Sequence, residues 1–222
     1  MDHGARSRLA GMTQIGMLLY PGLTQLDLTA PYEVLHRMRG TEVHLVWKDL
    51  EPVRDRAKMA ILPTQTLADC PDLDVLFVPG GHGQVAAAAD PEVLDFVRRQ
   101  GEQAAWVTSV CTGSLLLGAA GLLQGYAATT HWAYADLLPS FGATHEPGRV
   151  VVDRNRVTAG GVTAGIDFGL TLVATLAGEQ VARGLQLGLE YDPAPPFEGG
   201  HPDRADPDLV ARVRRGLRPD LS

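Results

Sequence analysis

The residue in this chain best placed to do covalent chemistry is Cys111, in the run Ala105-Trp106-Val107-Thr108-Ser109-Val110-Cys111-Thr112-Gly113-Ser114. An apolar strand-like stretch passes directly into a small-residue helix start, and the cysteine falls on the turn between them. That is nucleophile-elbow geometry, in which a strained residue is lifted above the edge of a sheet. A helix beginning at Thr112 would aim its free amides at the sulfur and favour the thiolate, moving the thiol from its usual ~8.5 to roughly 4–7. A nucleophilic sulfur also needs charge-stabilising donors and a proton carrier. Pro79-Gly80-Gly81, after another apolar stretch, offers backbone amides at the same sheet edge. His131, after Thr129-Thr130, is a candidate proton carrier. Cys70, beside Pro71 in a polar loop, reads as structural.

These residues need a scaffold that brings distant loops together. Gln14–Tyr20 is a continuous apolar run closed by Pro21-Gly22, as expected of a strand buried on both faces. Residues 26–38 place apolar side chains at helical spacing, with Thr29 as cap and Pro31 in the first turn. Strands are expected at Glu42–Trp47, Asp74–Val78, Ala105–Val110 and Ala127–Thr130, with a small hairpin region in residues 50–66 and a hairpin around Asp153-Arg154-Asn155. Helices are expected over Pro91–Gln103 (capped by Asp90), Ser114–Ala120, His131–Leu138 (stopped by Pro139), Ala164–Leu176 and Glu179–Leu189. Strands alternating with helices imply βαβ units. The expected architecture is a single α/β domain, a three-layer αβα sandwich with a mostly parallel central sheet. It is expected over residues 13–191, preceded by a flexible extension (1–12, with Met12 an alternative start) and followed by a Pro-rich tail with a short basic helix (192–222).

The 222 residues are 45% hydrophobic and 20% charged, so a disordered or fibrous chain is excluded. A net charge of −7 argues against a polyanion-binding surface, hence against nucleic acid as partner. No apolar run reaches the ~18 residues of a membrane span. No signal peptide is evident, and two isolated cysteines fit a reducing compartment, so a cytoplasmic location is expected. The seven histidines are scattered without metal-ligand spacing, and no phosphate-cradling glycine pattern occurs, so no metal or cofactor is expected.

Taken together, YPGLTQLDLTAPYEVL, VPGG, TSVCTGSLLLGAAGLLQG, TTHWAY, GGVTAGIDF and LEYDPAPPF resemble the ThiJ/PfpI superfamily, of the class I glutamine amidotransferase-like (flavodoxin-like) fold. Within it they are most similar to the isocyanide hydratase (isonitrile hydratase) branch, collinearly from about Gln14 to Ala194. The resemblance implies a lyase that hydrates a small-molecule isocyanide to an N-formamide through a covalent Cys111 thioimidate. It places the pocket carboxylate at Asp27, as proton shuttle with a raised pKa. Thr112 becomes the third catalytic residue, its hydroxyl reaching Asp27 or substrate. Gly80, Gly81, His131, Trp132, Gly161 and Val162 become the pocket and oxyanion wall.

Two features set other branches aside. The late His-x-Glu pair of the amidotransferases is missing, since His145 is followed directly by Glu146, and the chain lacks the helix-turn-helix extension of related regulators. A glyoxalase- or deglycase-like enzyme and a cysteine-based redox or ligand sensor remain as alternatives. The helix over 26–38, apolar around more than half its circumference through Tyr32, Val34 and Leu35, together with the resemblance, suggests a two-fold homodimer.

Overall fold

The structure, a computed structural model, describes residues 12–218. In chain order it runs β1 (Thr13–Leu18), α1 (Gln25–Leu35), β2 (Thr41–Trp47), β3 (Val53–Arg54), β4 (Ala60–Ile61), β5 (Gln65–Thr66), β6 (Val75–Val78), α2 (Gln84–Ala89) and α3 (Pro91–Gln103). It continues with β7 (Trp106–Val110), α4 (Gly113–Ala119), β8 (Ala127–Ala128), a 3₁₀ segment (Trp132–Phe141), β9 (Thr144–His145), β10 (Val150–Asp153) and β11 (Arg156–Ala159). A 3₁₀ turn (Val162–Ala164) leads into α5 (Gly165–Ala177) and α6 (Glu179–Gly188), and α7 (Pro207–Leu217) is the last element among the described residues.

Seven strands form one sheet in the order β10-β11-β7-β6-β1-β2-β5. All neighbours are parallel except the β10–β11 hairpin. A parallel sheet covered on both faces needs strands apolar on both sides, and β6 is buried at each of its four positions. Helices α1, α5 and α6 pack together as one group, and α2, α3 and α4 as another. Parallelism has a consequence for chemistry. The carboxyl ends of β1, β6, β7 and β11 all open onto one sheet edge, which is where ligands bind in open α/β sheets.

Several expectations need correction. Helix α1 begins at Gln25 after Thr24, so Thr29 lies inside it and donates its hydroxyl to the Gln25 side chain at 2.9 Å instead of capping. Pro31 is consequently interior, not first-turn. The segment after His131 is 3₁₀ and runs through Pro139 to Phe141, ending at Gly142 in the left-handed region (φ 70°). Only Ala127 and Ala128 of the expected Ala127–Thr130 strand form a ladder, with β9. Helix α2 was invisible to periodicity because an alanine run has no polar face, although alanine has the highest helix propensity.

The surfaces of α1 are also not as its pattern suggested. Val34 and Leu35 are fully buried within the chain. Glycines of α5 allow this: a Cβ at Gly165 would stand 2.8 Å from Pro31 Cδ, and one at Gly169 would stand 2.8 Å from Val34 Cβ. Those two residues therefore give no reason for a partner chain. Of the expected extension, residues 1–11 lie outside the described residues, and Met12 is exposed. Among the described residues beyond 192, α7 carries Arg214 and Arg215 in its last turn.

Candidate active site

Strand β7 runs directly into Cys111, whose φ of 56° is a left-handed conformation that costs a non-glycine residue on the order of 1–2 kcal/mol. The surroundings hold it there. Its amide donates to the carbonyls of Ala159 (3.0 Å) and Gly160 (2.9 Å) at the end of β11. Its carbonyl accepts from the hydroxyls of Thr130 (2.9 Å) and Ser114 (3.2 Å). The elbow read from the sequence is thus present, with the Gly160 carbonyl against the cysteine amide.

Asp27 reaches the same point from the first turn of α1, with 0% of its surface exposed. Both carboxyl oxygens are buried without a well-formed hydrogen bond. Burial raises the carboxyl to about 7, against the smaller opposing pull of the Cys111 thiol and the Gly80 amide. Gly80 makes this approach feasible. A Cβ there would lie 2.7 Å from Asp27 Oδ2, 2.7 Å from Cys111 Cβ and 2.6 Å from the Thr112 nitrogen.

The expected thiolate is not what this environment favours. Cys111 is 5% exposed, and desolvation together with the Asp27 charge pushes its thiol up, outweighing the Thr112 amide and hydroxyl. At a thiol this deeply buried, removing the charged form from water outweighs a helix start of a single turn or two. The physically sound description is a Cys111–Asp27 pair that retains a proton at neutral pH. Below it, Tyr20 donates its hydroxyl to the Pro79 carbonyl at 2.7 Å, and burial pushes its pKa up. The sequence reading missed Tyr20 because it looks like an ordinary strand end.

The glycine pair acts differently from its expected role. Gly81, at φ 136°, donates its amide to Thr112 Oγ1 at 3.0 Å. That amide is therefore spent, and the Thr112 hydroxyl is committed to Gly81 and not to Asp27. Gly80 and Gly81 contribute space and backbone shape, leaving the Thr112 amide as the donor that faces the sulfur.

A cavity of about 320 Å³ opens over Cys111, a volume suited to a small organic molecule. Cys111, Thr112, His131 and Val162 line it, as does Gly81. His131 Nδ1 accepts from the Ala133 amide at 3.2 Å, which puts its proton on Nε2, and burial lowers its pKa. The imidazole is therefore neutral. Gly161 supports it from behind, where a Cβ would meet His131 Cδ2 at 3.1 Å. Trp132 does not line the cavity; the Arg214 guanidinium lies over its ring at 5.2 Å. Arg56, His82, Tyr134 and Leu217 do line it and were missed. His82 and Tyr134 sit within the PGGHG and THWAY motifs, whereas nothing local marks Arg56 or Leu217.

Among the described residues no group of three or more His, Cys, Asp or Glu could hold a metal. Cys70 is distant in role as well as sequence: burial raises its thiol to about 11. Tyr191, in the LEYDPAPPF motif, bonds Asp167 at 2.9 Å and borders a recess beside α1, outside the site.

Comparison with known proteins fits this geometry. Residues 13–175 match the DJ-1/PfpI family. The chain is 56% identical to the isonitrile hydratase of Pseudomonas putida over 94% of its own length and 91% of that enzyme's. A crystal structure of a THiJ/PfpI family protein from Pseudomonas syringae superposes with a TM-score of 0.92, at 46% identity, over 99% of this chain and 93% of that one. An HTH-type transcriptional regulator of Pseudomonas aeruginosa is 30% identical over 80% of this chain but only 50% of the regulator.

Proposed function

The chain belongs to the DJ-1/PfpI family, and from that premise we propose that it is an isocyanide hydratase, converting an isocyanide and water to an N-substituted formamide. The observation that carries this reading is Cys111 at the wall of a cavity of small-molecule size, paired with a buried carboxyl held to about 7. The 56% identity to an isonitrile hydratase supports it.

The terminal carbon of R–N≡C must accept a nucleophile and then a proton. Cys111 sulfur bonds to that carbon while the thiol proton passes to Asp27, which returns it to the same carbon, giving R–N=CH–S–Cys111. A carboxyl near 7 is matched to this exchange at neutral pH. Water then adds to the thioimidate carbon, and Asp27 carries one water proton to nitrogen. When the carbon–sulfur bond breaks, the remaining hydroxyl proton returns to sulfur through Asp27 and R–NH–CHO leaves. The Thr112 amide steadies negative charge on sulfur, and neutral His131 offers its Nε2 hydrogen to the water or product oxygen. No metal or cofactor takes part in these steps.

Steady-state assays with cyclohexyl isocyanide and with methylglyoxal test the proposal directly. Formamide formation with little methylglyoxal consumption is expected, and the reverse result would make the chain a glyoxalase. Oxidation of Cys111 without turnover of either compound would indicate a sensor.

The proposed working form is a cytoplasmic homodimer. Among the described residues no helix is long and apolar enough to cross a membrane. A recess of about 400 Å³ beside α1, bordered by Ala30, Ile166 and Leu189, and by Leu26 at 38% exposure, supports a second copy as its cover. Light scattering should report about twice 23.7 kDa; an active monomer would overturn the dimer.

A further inference from the structure

One wall of the cavity over Cys111 comes from the far end of the chain. Gly216 and Leu217, at the carboxyl end of α7, line it together with Cys111, Tyr134 and Val162. This helix lies beyond residues 13–175, the part that matches the family. It is tied down at that end. The Tyr134 hydroxyl donates to the Leu217 carbonyl at 2.7 Å. Arg218, only 5% exposed, donates to the Ala133 carbonyl at 3.3 Å and pairs with Asp136 at 3.2 Å. One turn back, Arg214 lies over Trp132. Every one of these anchors lies in the 3₁₀ segment that follows His131, so the strap is registered against a residue of the site itself. The rest of α7 has no buried residue between Pro207 and Leu217, and only Val210 along it is half-buried. A helix that buries almost nothing along its length, yet is fastened at its last turn beside a nucleophile, is built for what that turn presents.

We propose that the end of α7 is a specificity wall, and that Leu217 sets the bulk of the isocyanide substituent the pocket accepts. This rests on the hydratase reading. Leu217 is an apolar side chain facing a cavity in which the reacting carbon must lie at Cys111, so a larger residue there shortens the room for the substituent and a smaller one extends it.

The test compares kcat/KM for ethyl isocyanide and for 1,1,3,3-tetramethylbutyl isocyanide in wild type, Leu217→Ala and Leu217→Trp. The bulky-to-small ratio should rise about tenfold in Leu217→Ala and fall about tenfold in Leu217→Trp, the scale on which apolar pockets discriminate bulk. A general folding defect would lower both constants together and leave the ratio unmoved. Ratios within twofold of wild type in both variants would overturn the wall. If wild type hydrates neither isocyanide, the hydratase reading fails by itself. The wall is then decided by the relative rates at which iodoacetamide and N-phenylmaleimide alkylate Cys111 in a Cys70→Ala background. Leu217→Trp should slow the maleimide selectively, and an unchanged rate ratio would overturn the proposal on that readout too.

Discussion

The Thr112 hydroxyl accepts the Gly81 amide hydrogen at 3.0 Å, joining the loop after β6 to the residue that follows the nucleophile. Thr112 is thereby a brace for the site floor, while both its backbone amide and its hydroxyl act on the Cys111 sulfur. Thr112→Val keeps the shape but strands a buried amide, which costs about 1–3 kcal/mol. Its melting temperature should fall, and hydration should weaken while remaining measurable. Thr112→Ser retains the acceptor and should stay near wild type in both respects. Equal behaviour of the two variants would show that the bond contributes nothing.

Cys111→Ala should abolish hydration, because the covalent step has no other sulfur to use. Cys70→Ala should leave turnover within about twofold of wild type, its thiol being held near 11. Intact-mass spectra of wild type quenched during turnover should carry the mass of one isocyanide, and the Cys111 variant should not. Substantial activity in Cys111→Ala would end the covalent mechanism.

Asp27→Asn preserves size but carries no exchangeable acid, so a loss of at least about 10²-fold is expected. The same substitution has a stability signature. An unfolded Asp27 releases its proton near 3.8 and the folded one near 7. Between those values the folded chain still binds a proton that the unfolded chain has released, so stability falls as pH rises through the window. The full cost, on the order of 4 kcal/mol, is reached above pH 7. Asparagine has no such proton. The melting temperature of Asp27→Asn should therefore gain on wild type between about pH 4 and 7 and stay above it at pH 8. A difference that does not vary with pH would mean the carboxyl ionises normally in the fold.

Gly80→Ala places a methyl 2.7 Å from the Asp27 carboxyl and 2.6 Å from the Thr112 nitrogen, closer than real Cβ atoms approach. Either α1 or the Cys111 turn must shift. Hydration should drop by two orders of magnitude or more while the far-ultraviolet circular dichroism stays native, since the displacement is local. Near-normal kcat would show that Asp27 and Cys111 need not be held at this separation.

Much of this protein could be read from the sequence alone. Apolar-rich runs ending in Pro-Gly, Pro-Gly-Gly and Cys-Thr-Gly marked β1, β6 and β7, because a strand buried on both faces is dominated by apolar residues and stops at a turn former. The same local logic located Cys111 at an elbow. Family resemblance added Asp27, which no local rule distinguishes from a helix-start aspartate. What the sequence could not decide was the balance of long-range terms. A helix start argued for a thiolate, yet burial beside Asp27 reverses the direction, and burial exists only once β7, α1 and Gly80 meet. Val34 and Leu35 suggested an open face on α1 because glycines 131 and 135 residues further on, Gly165 and Gly169, had not yet been brought against it. The Thr112 hydroxyl was expected to reach Asp27 or substrate, and the parallel register of β6 on β7 sets it against the Gly81 amide instead. The arrival of Leu217 over Cys111 spans 106 residues of chain. Propensity and periodicity act over a few residues, whereas these contacts depend on how the whole sheet and its last helix close over one edge.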